Sequence, residues 1–231
     1  MYARCEAPSY PPAPFPLALS TDWRVAGRYD PEMAAPTNPL HHRILWIVRV
    51  GLVLAIAFSV AFPNLPQFEG KGMAFRAPFY LLPLIVVPAI WRLRGSRSDY
   101  PYLVDALVVA PFLVDTLGNA LNFYNTYDRT DDVLHFVNWV LLMGGVTLAL
   151  LRLGIGRLNA WSLGWGFGGL AIIWWEAAEY LVQLQGTAGL SLTYEDTIGD
   201  LLLSSTGGAV GSALAIFFVG TSKPNEQHLR D

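Results

Sequence analysis

The chain has 231 residues, 53% of them hydrophobic and only 14% charged, against roughly 25% charged in an ordinary soluble domain. That composition excludes a typical water-soluble globule, and a net charge of −3, with arginines scattered between apolar runs, provides no basic face for nucleic acid. The single cysteine, Cys5, excludes an internal disulfide.

What remains is one polytopic, all-α membrane domain. Residues 1–40 come first and hold eight of the sixteen prolines, with PSYPPAPFP near the start. Proline at that density favours extended, solvated backbone, which predicts a disordered cytoplasmic arm. A cleaved signal peptide is not expected, because no basic start leads into an unbroken apolar run and a small-residue site.

A six-helix transmembrane domain is expected over 41–220, followed by a cytoplasmic tail, 221–231. Its segments fall near 43–62, 73–91, 102–124, 131–152, 160–184 and 195–219, each near the length of about 20 apolar residues that spans the hydrocarbon. Pro83 and Pro88 predict a kink in the second. Cytoplasmic loops carry the excess of lysine and arginine, and the loops predict both termini inside: Arg43, Arg92, Arg94, Arg97, Arg152, Arg157 and Lys223 fall on one side, Lys71, Arg76 and Arg129 on the other.

With that topology the acids align at one depth, near the outer surface. On the third segment Asp115, Asn119 and Asn122 share a face by their i, i+4, i+7 spacing. The fourth opens with Asp131 and Asp132 and then sets His135 and Asn138 further in. The fifth carries Glu176, Glu179 and Gln183, and the sixth Asp196, Asp200 and Ser204. Asp105, near the inner start of the third segment, is the exception. Ionisable groups at membrane depth cost a few kcal/mol or more each, so they face a protein interior and mark a site.

Simpler roles account for part of this inventory. Asp131, Asp132 and Asp196 lie in first turns, where the helix dipole favours negative charge; Thr193 with Asp196 fits a T-x-x-D cap, and Thr130 is placed to cap the fourth segment. Gly207 with Gly211, Gly208 with Ser212, and Gly164 with Gly168 have the small-residue spacing that lets membrane helices approach. Ser204 and Ser205 read as packing or backbone-bonding groups rather than nucleophiles. Capping does not reach Asp115, His135, Glu176, Glu179 or Asp200, and these form the expected shared site.

Clustered carboxylates repel, so a cation or protons must neutralise them, and Arg129 is the only fixed cation the sequence places nearby. A divalent metal is the economical answer. Carboxylate oxygens with one histidine suit Mg²⁺, Mn²⁺, Ca²⁺, Zn²⁺ or Fe, and D-x-x-H on one helix with E-x-x-E on another resembles di-metal carboxylate bundles. The expected ligand set is Asp115, Asp131, Asp132, His135, Glu176, Glu179, Asp196 and Asp200. Within it His135, Glu176 and Asp200 are the expected catalytic residues, His135 as a general base.

At D-x-x-x-N (115–119), DDVLHF (131–136), W-E-x-x-E-Y (175–180) and YEDTIGDLL followed by glycines (194–208), the chain resembles the YjdF-like bacterial inner-membrane proteins and, more distantly, the VanZ-like proteins. The VanZ-like pattern D-K-x-x-H-F, E-x-x-Q and D-x-x-x-N corresponds here to Asp131-Asp132 with His135-Phe136, Glu176 with Glu179, and Asp196 with Asp200. A lysine, a glutamine and an asparagine are thus replaced by acids, which makes the site more anionic. The resemblance implies a multi-pass protein of the bacterial inner membrane, and for the VanZ-like proteins a link to glycopeptide-antibiotic resistance at the cell envelope. Three functions fit: a metal-dependent hydrolase acting on a lipid-linked or envelope precursor, a proton- or cation-coupled transporter, and a non-catalytic scaffold in the bilayer.

Overall fold

The structure is a computed structural model that describes residues 38–96, 98–187 and 192–221; nearly all of the expected arm and tail fall outside these residues. Its elements are all helical: α1 (Pro39–Ala61), α2 (Met73–Leu81), α3 (Pro83–Leu93), α4 (Tyr102–Ala120), α5 (Phe123–Thr126), α6 (Thr130–Arg152), α7 (Arg157–Gln183) and α8 (Tyr194–Thr221). A bilayer supplies no hydrogen bonds to the backbone, so a spanning segment satisfies its own N–H and C=O groups as a helix.

Among the described residues five stretches are long and apolar enough to cross a membrane: α1, α2 with α3, α4, α6, and α8 as far as Val219. The fifth expected segment is present as the 27-residue α7, whose glycines, tryptophans and two glutamates leave it less apolar than a spanning helix of that kind. Phe167, Leu170 and Trp174 are nevertheless more than half exposed on it, an apolar outer face like those of its neighbours.

Local chemistry sets the boundaries. Asn38 caps α1, its side-chain oxygen accepting from the Leu40 N–H at 3.0 Å, with Pro39 in the first turn. The second segment is divided rather than merely kinked, because Pro83 has no N–H to continue α2 and instead opens α3. The third ends earlier than expected. Asn122 takes a left-handed conformation (φ 63°) between α4 and the single turn of α5, so it leaves the face it was expected to share with Asp115 and Asn119. Thr130 does not cap α6: it is the first helical residue, and its hydroxyl donates to the Phe123 carbonyl at 3.0 Å. The expected cap at α8 is present, with the Asp196 N–H donating to Thr193 Oγ1 at 3.2 Å.

Two apolar clusters hold the bundle. Leu52, Ile56, Tyr80 and Val109 join α1, α2 and α4; Trp139, Met143 and Ile172 join α6 and α7; Trp175 packs against both. The closest helix pairing is α6 with α8. A Cβ on Gly207 or Gly211 would collide with the carbonyls of Phe136 and Val140, so backbone-to-backbone approach is what these glycines permit. At the end away from the acids of the expected site, Arg49 donates to Asp105 at 2.5 Å and to the Leu84 carbonyl at 3.1 Å, and Tyr100 donates to the same carboxylate. That buried pair ties α1 to α4 and accounts for Asp105.

Candidate functional site

The C-terminal ends of α4 and α7, the N-terminal ends of α2, α6 and α8, and the one-turn α5 meet at one end of the bundle around a cavity of about 420 Å³. Asp115, Asp131, His135, Glu179 and Asp196 line it, with Lys71, Arg76 and the rings of Phe112, Tyr124, Trp139 and Trp175. A mixed wall of this kind, apolar surface with a few convergent polar groups, is what a small-molecule site requires.

His135 is the centre of the chemistry. Its Nε2 lies 3.6 Å from Asp131 Oδ1, one helical turn away, and 3.6 Å from Asp200 Oδ1 on α8. Its Nδ1 lies 3.0 Å from Ser204 Oγ. Two three-residue groups bring ligand atoms within 4.8 Å of one another: Asp131, His135 and Asp200, and His135, Glu176 and Glu179. The histidine belongs to both, so three helices supply five residues to two groups that overlap at His135. Glu176 is 7% exposed, and both of its carboxylate oxygens are buried with no hydrogen-bond partner. A carboxylate so placed is strongly disfavoured unless a proton or a cation satisfies it.

Not every expected ligand joins this locus. Asp115 sits behind it as a hydrogen-bond hub: Tyr80 donates to Oδ2 at 2.6 Å, Tyr124 donates to Oδ1, and Asn119 donates to its carbonyl at 3.0 Å. Burial and the neighbouring Asp115 charge push the Tyr124 hydroxyl well above the usual phenol range, which keeps it a donor. Asp196 lines the cavity but lies in neither three-residue group, and Asp132 is exposed and lines nothing. In both cases position in the first turn, with the helix dipole, is enough to explain the acid.

The neutralising cation is not Arg129, which is exposed at the start of α6. It is Arg76 of α2, whose Nη2 donates to Glu179 at 2.7 Å and whose Nη1 lies 4.0 Å from Asp115 Oδ2. The sequence places Arg76 at the correct end of the bundle; helix ordering alone does not reveal that α2 reaches α7. Lys71 is a second cation that sequence reasoning left unused. It is 7% exposed, its ammonium has no hydrogen-bond partner, and the nitrogen rests 5.0 Å from the centre of the Tyr124 ring. Burial lowers its pKa, the like charge of Arg76 lowers it further, and Asp115 and Asp131 partly oppose them.

Ser204 is fully buried and does not line the cavity. Its position beside Nδ1 suits a residue that fixes the ring and its tautomer, leaving Nε2 toward the acids. Loss of such a support typically costs 10–100-fold in metal affinity. Ser204→Ala is therefore expected to weaken divalent-metal binding by about that factor with little change in the far-ultraviolet circular dichroism, as read by metal titration of the purified protein. Comparison with family models, curated proteins and solved structures gives no match for this chain.

Proposed function

We propose that the protein is an integral membrane enzyme that binds a divalent cation at Asp131, His135, Glu176, Glu179 and Asp200 and hydrolyses a lipid-linked or envelope precursor. The observation that carries this reading is Glu176: a buried carboxylate with two unpartnered oxygens, facing a histidine and a second acid at ligand distance. Oxygen ligands with a single imidazole fit Mg²⁺, Mn²⁺ or Zn²⁺. When bound, such an ion supplies Lewis acidity toward an ester or phosphoryl oxygen.

The chain's own residues do the rest. Asp131 and Asp200 converge on His135 Nε2 and would share the cation with it, while Ser204 beside Nδ1 holds the ring in the orientation that presents Nε2. Arg76 holds Glu179 in place, and Trp139 and Trp175 wall the cavity against bulk water. Loop charge supports an extracytoplasmic position for this end of the bundle, within reach of a precursor in the outer leaflet. The resemblance to VanZ-like proteins agrees with a role at the bacterial envelope.

Metal analysis of the purified protein tests the reading. Wild type is expected to retain about one equivalent of divalent metal, lost on chelation together with a fall in melting temperature, because an ion that binds only the folded state stabilises it. His135→Ala is expected to retain almost none. A metal-free wild type whose melting is indifferent to chelators would refute the metal site, and would favour the proton-coupled carrier in which Glu176 is held as a neutral acid.

A further inference from the structure

Lys71 is a buried cation in the cavity wall whose chemistry the proposed cation site does not use. The lysine precedes Gly72, which opens α2 in a left-handed conformation (φ 62°), and a Cβ there would lie 2.8 Å from the Thr187 methyl group. Glycine at that position therefore sets the turn that seats Lys71 against the cavity. The ammonium has three donors, yet it rests over the face of Tyr124 without a hydrogen bond, and among the described residues no carboxylate lies within ion-pair distance. A buried ammonium left in this state costs far more than one that is paired. Of the acids nearest this part of the wall, Asp115 accepts from two phenols, Glu179 is paired with Arg76 and Asp131 faces His135. Among the described residues none supplies the acceptor that Lys71 lacks, and a bound ligand can.

We propose that Lys71 forms an oxyanion subsite that takes a phosphoryl group of the ligand and holds it in the same cavity as the acid–histidine cluster. A phosphoryl group answers both halves of the cavity, because it accepts hydrogen bonds from an ammonium and offers further oxygens to a cation held by carboxylates. This names the substrate class of the hydrolase proposed above and rests on that reading for the cleavage; binding of the anion at Lys71 stands without it. The phosphoryl group can belong to a lipid headgroup or arrive free in water, and the two share the chemistry that Lys71 recognises.

The test uses the full chain. Inorganic phosphate is titrated calorimetrically into wild type, Lys71→Met and Lys71→Arg in detergent with a chelator present. The protein is then placed in nanodiscs of a neutral lipid with and without a phosphatidic acid. Wild type is expected to bind phosphate, Lys71→Met to bind about tenfold more weakly or worse, and Lys71→Arg to keep part of the affinity. Phosphatidic acid that displaces phosphate identifies the headgroup as the source, whereas phosphate binding indifferent to that lipid identifies the free anion.

Lys71→Met removes a poorly solvated amine and is expected to melt no lower than wild type, so weak binding by this variant is not a folding defect. A measurement without any variant is also at hand, since Lys71 and Lys223 are the only lysines. After reductive ¹³C-methylation, phosphate should shift the Lys71 resonance and leave that of Lys223 in place. Equal phosphate affinity in wild type and Lys71→Met, or an unmoved Lys71 resonance in the presence of both probes, overturns the subsite. His135→Ala that has lost its metal but still binds phosphate through Lys71 separates this proposal from the cation site.

Discussion

Arg76→Met is expected to destabilise the protein by about 3–5 kcal/mol, the usual cost of removing one partner from a buried ion pair. The arginine side chain is 11% exposed and its partner Glu179 15%, so water replaces little of what is lost. Two groups are affected at once, because Arg76 donates to Glu179 at 2.7 Å and also stands 4.0 Å from Asp115. Thermal unfolding in detergent micelles measures the loss. The double variant Arg76→Met with Glu179→Gln should recover the part due to Glu179, since the glutamine leaves no uncompensated charge at that position, while Asp115 keeps its hydrogen bonds from Tyr80 and Tyr124. A single variant that melts like wild type would mean the pair is dispensable and that the cavity wall is held by its aromatic contacts alone.

Glu176→Leu is expected to act in the opposite direction on stability and far more strongly on ligand binding. In metal-free protein it replaces two unsatisfied buried oxygens with a side chain of similar volume, a type of exchange that is often stabilising by about 1–4 kcal/mol. The melting temperature without metal should rise by several degrees. Metal affinity should fall by more than the roughly 10–100-fold expected of a residue that only supports a ligand, and turnover should fall with it. Glu176→Gln, which keeps shape and polarity, separates charge from packing: it should also lose the metal while melting close to wild type. Rising stability with falling function is the signature of a group retained for activity rather than for the fold. If Glu176→Leu lowers the melting temperature without metal, the glutamate has a structural partner and the site loses its main support.

Both predictions depend on contacts between helices, and here the reach of the sequence divides cleanly. Apolar runs of spanning length revealed α1, α4, α6 and α8 within a few residues, because a bilayer core leaves the backbone no alternative to the helix. The i, i+3 and i+4 spacings placed Asp131 with His135 and Glu176 with Glu179 on shared faces, since one helical turn repeats regardless of its surroundings. The glycines of α7 and α8 marked where helices would approach, because only a missing side chain allows it.

Partner choice across helices was not legible. Asp115 carries the same sequence credentials as Glu176, yet two tyrosines saturate one while the other is left without a hydrogen bond. Tyr124 reaches Asp115 only because Asn122 turns the chain at the end of α4. Arg76 and Lys71 look like ordinary loop-side cations, and only the packing of α2 and the loop before it turns one into the clamp on Glu179 and the other into an unpaired buried amine. The sequence by itself determined that this is a helical membrane protein with its acids gathered at one end. The tertiary structure decided which acids are free to hold a ligand, because hydrogen-bond satisfaction depends on distances of a few ångströms between helices, which spacing along one helix does not contain.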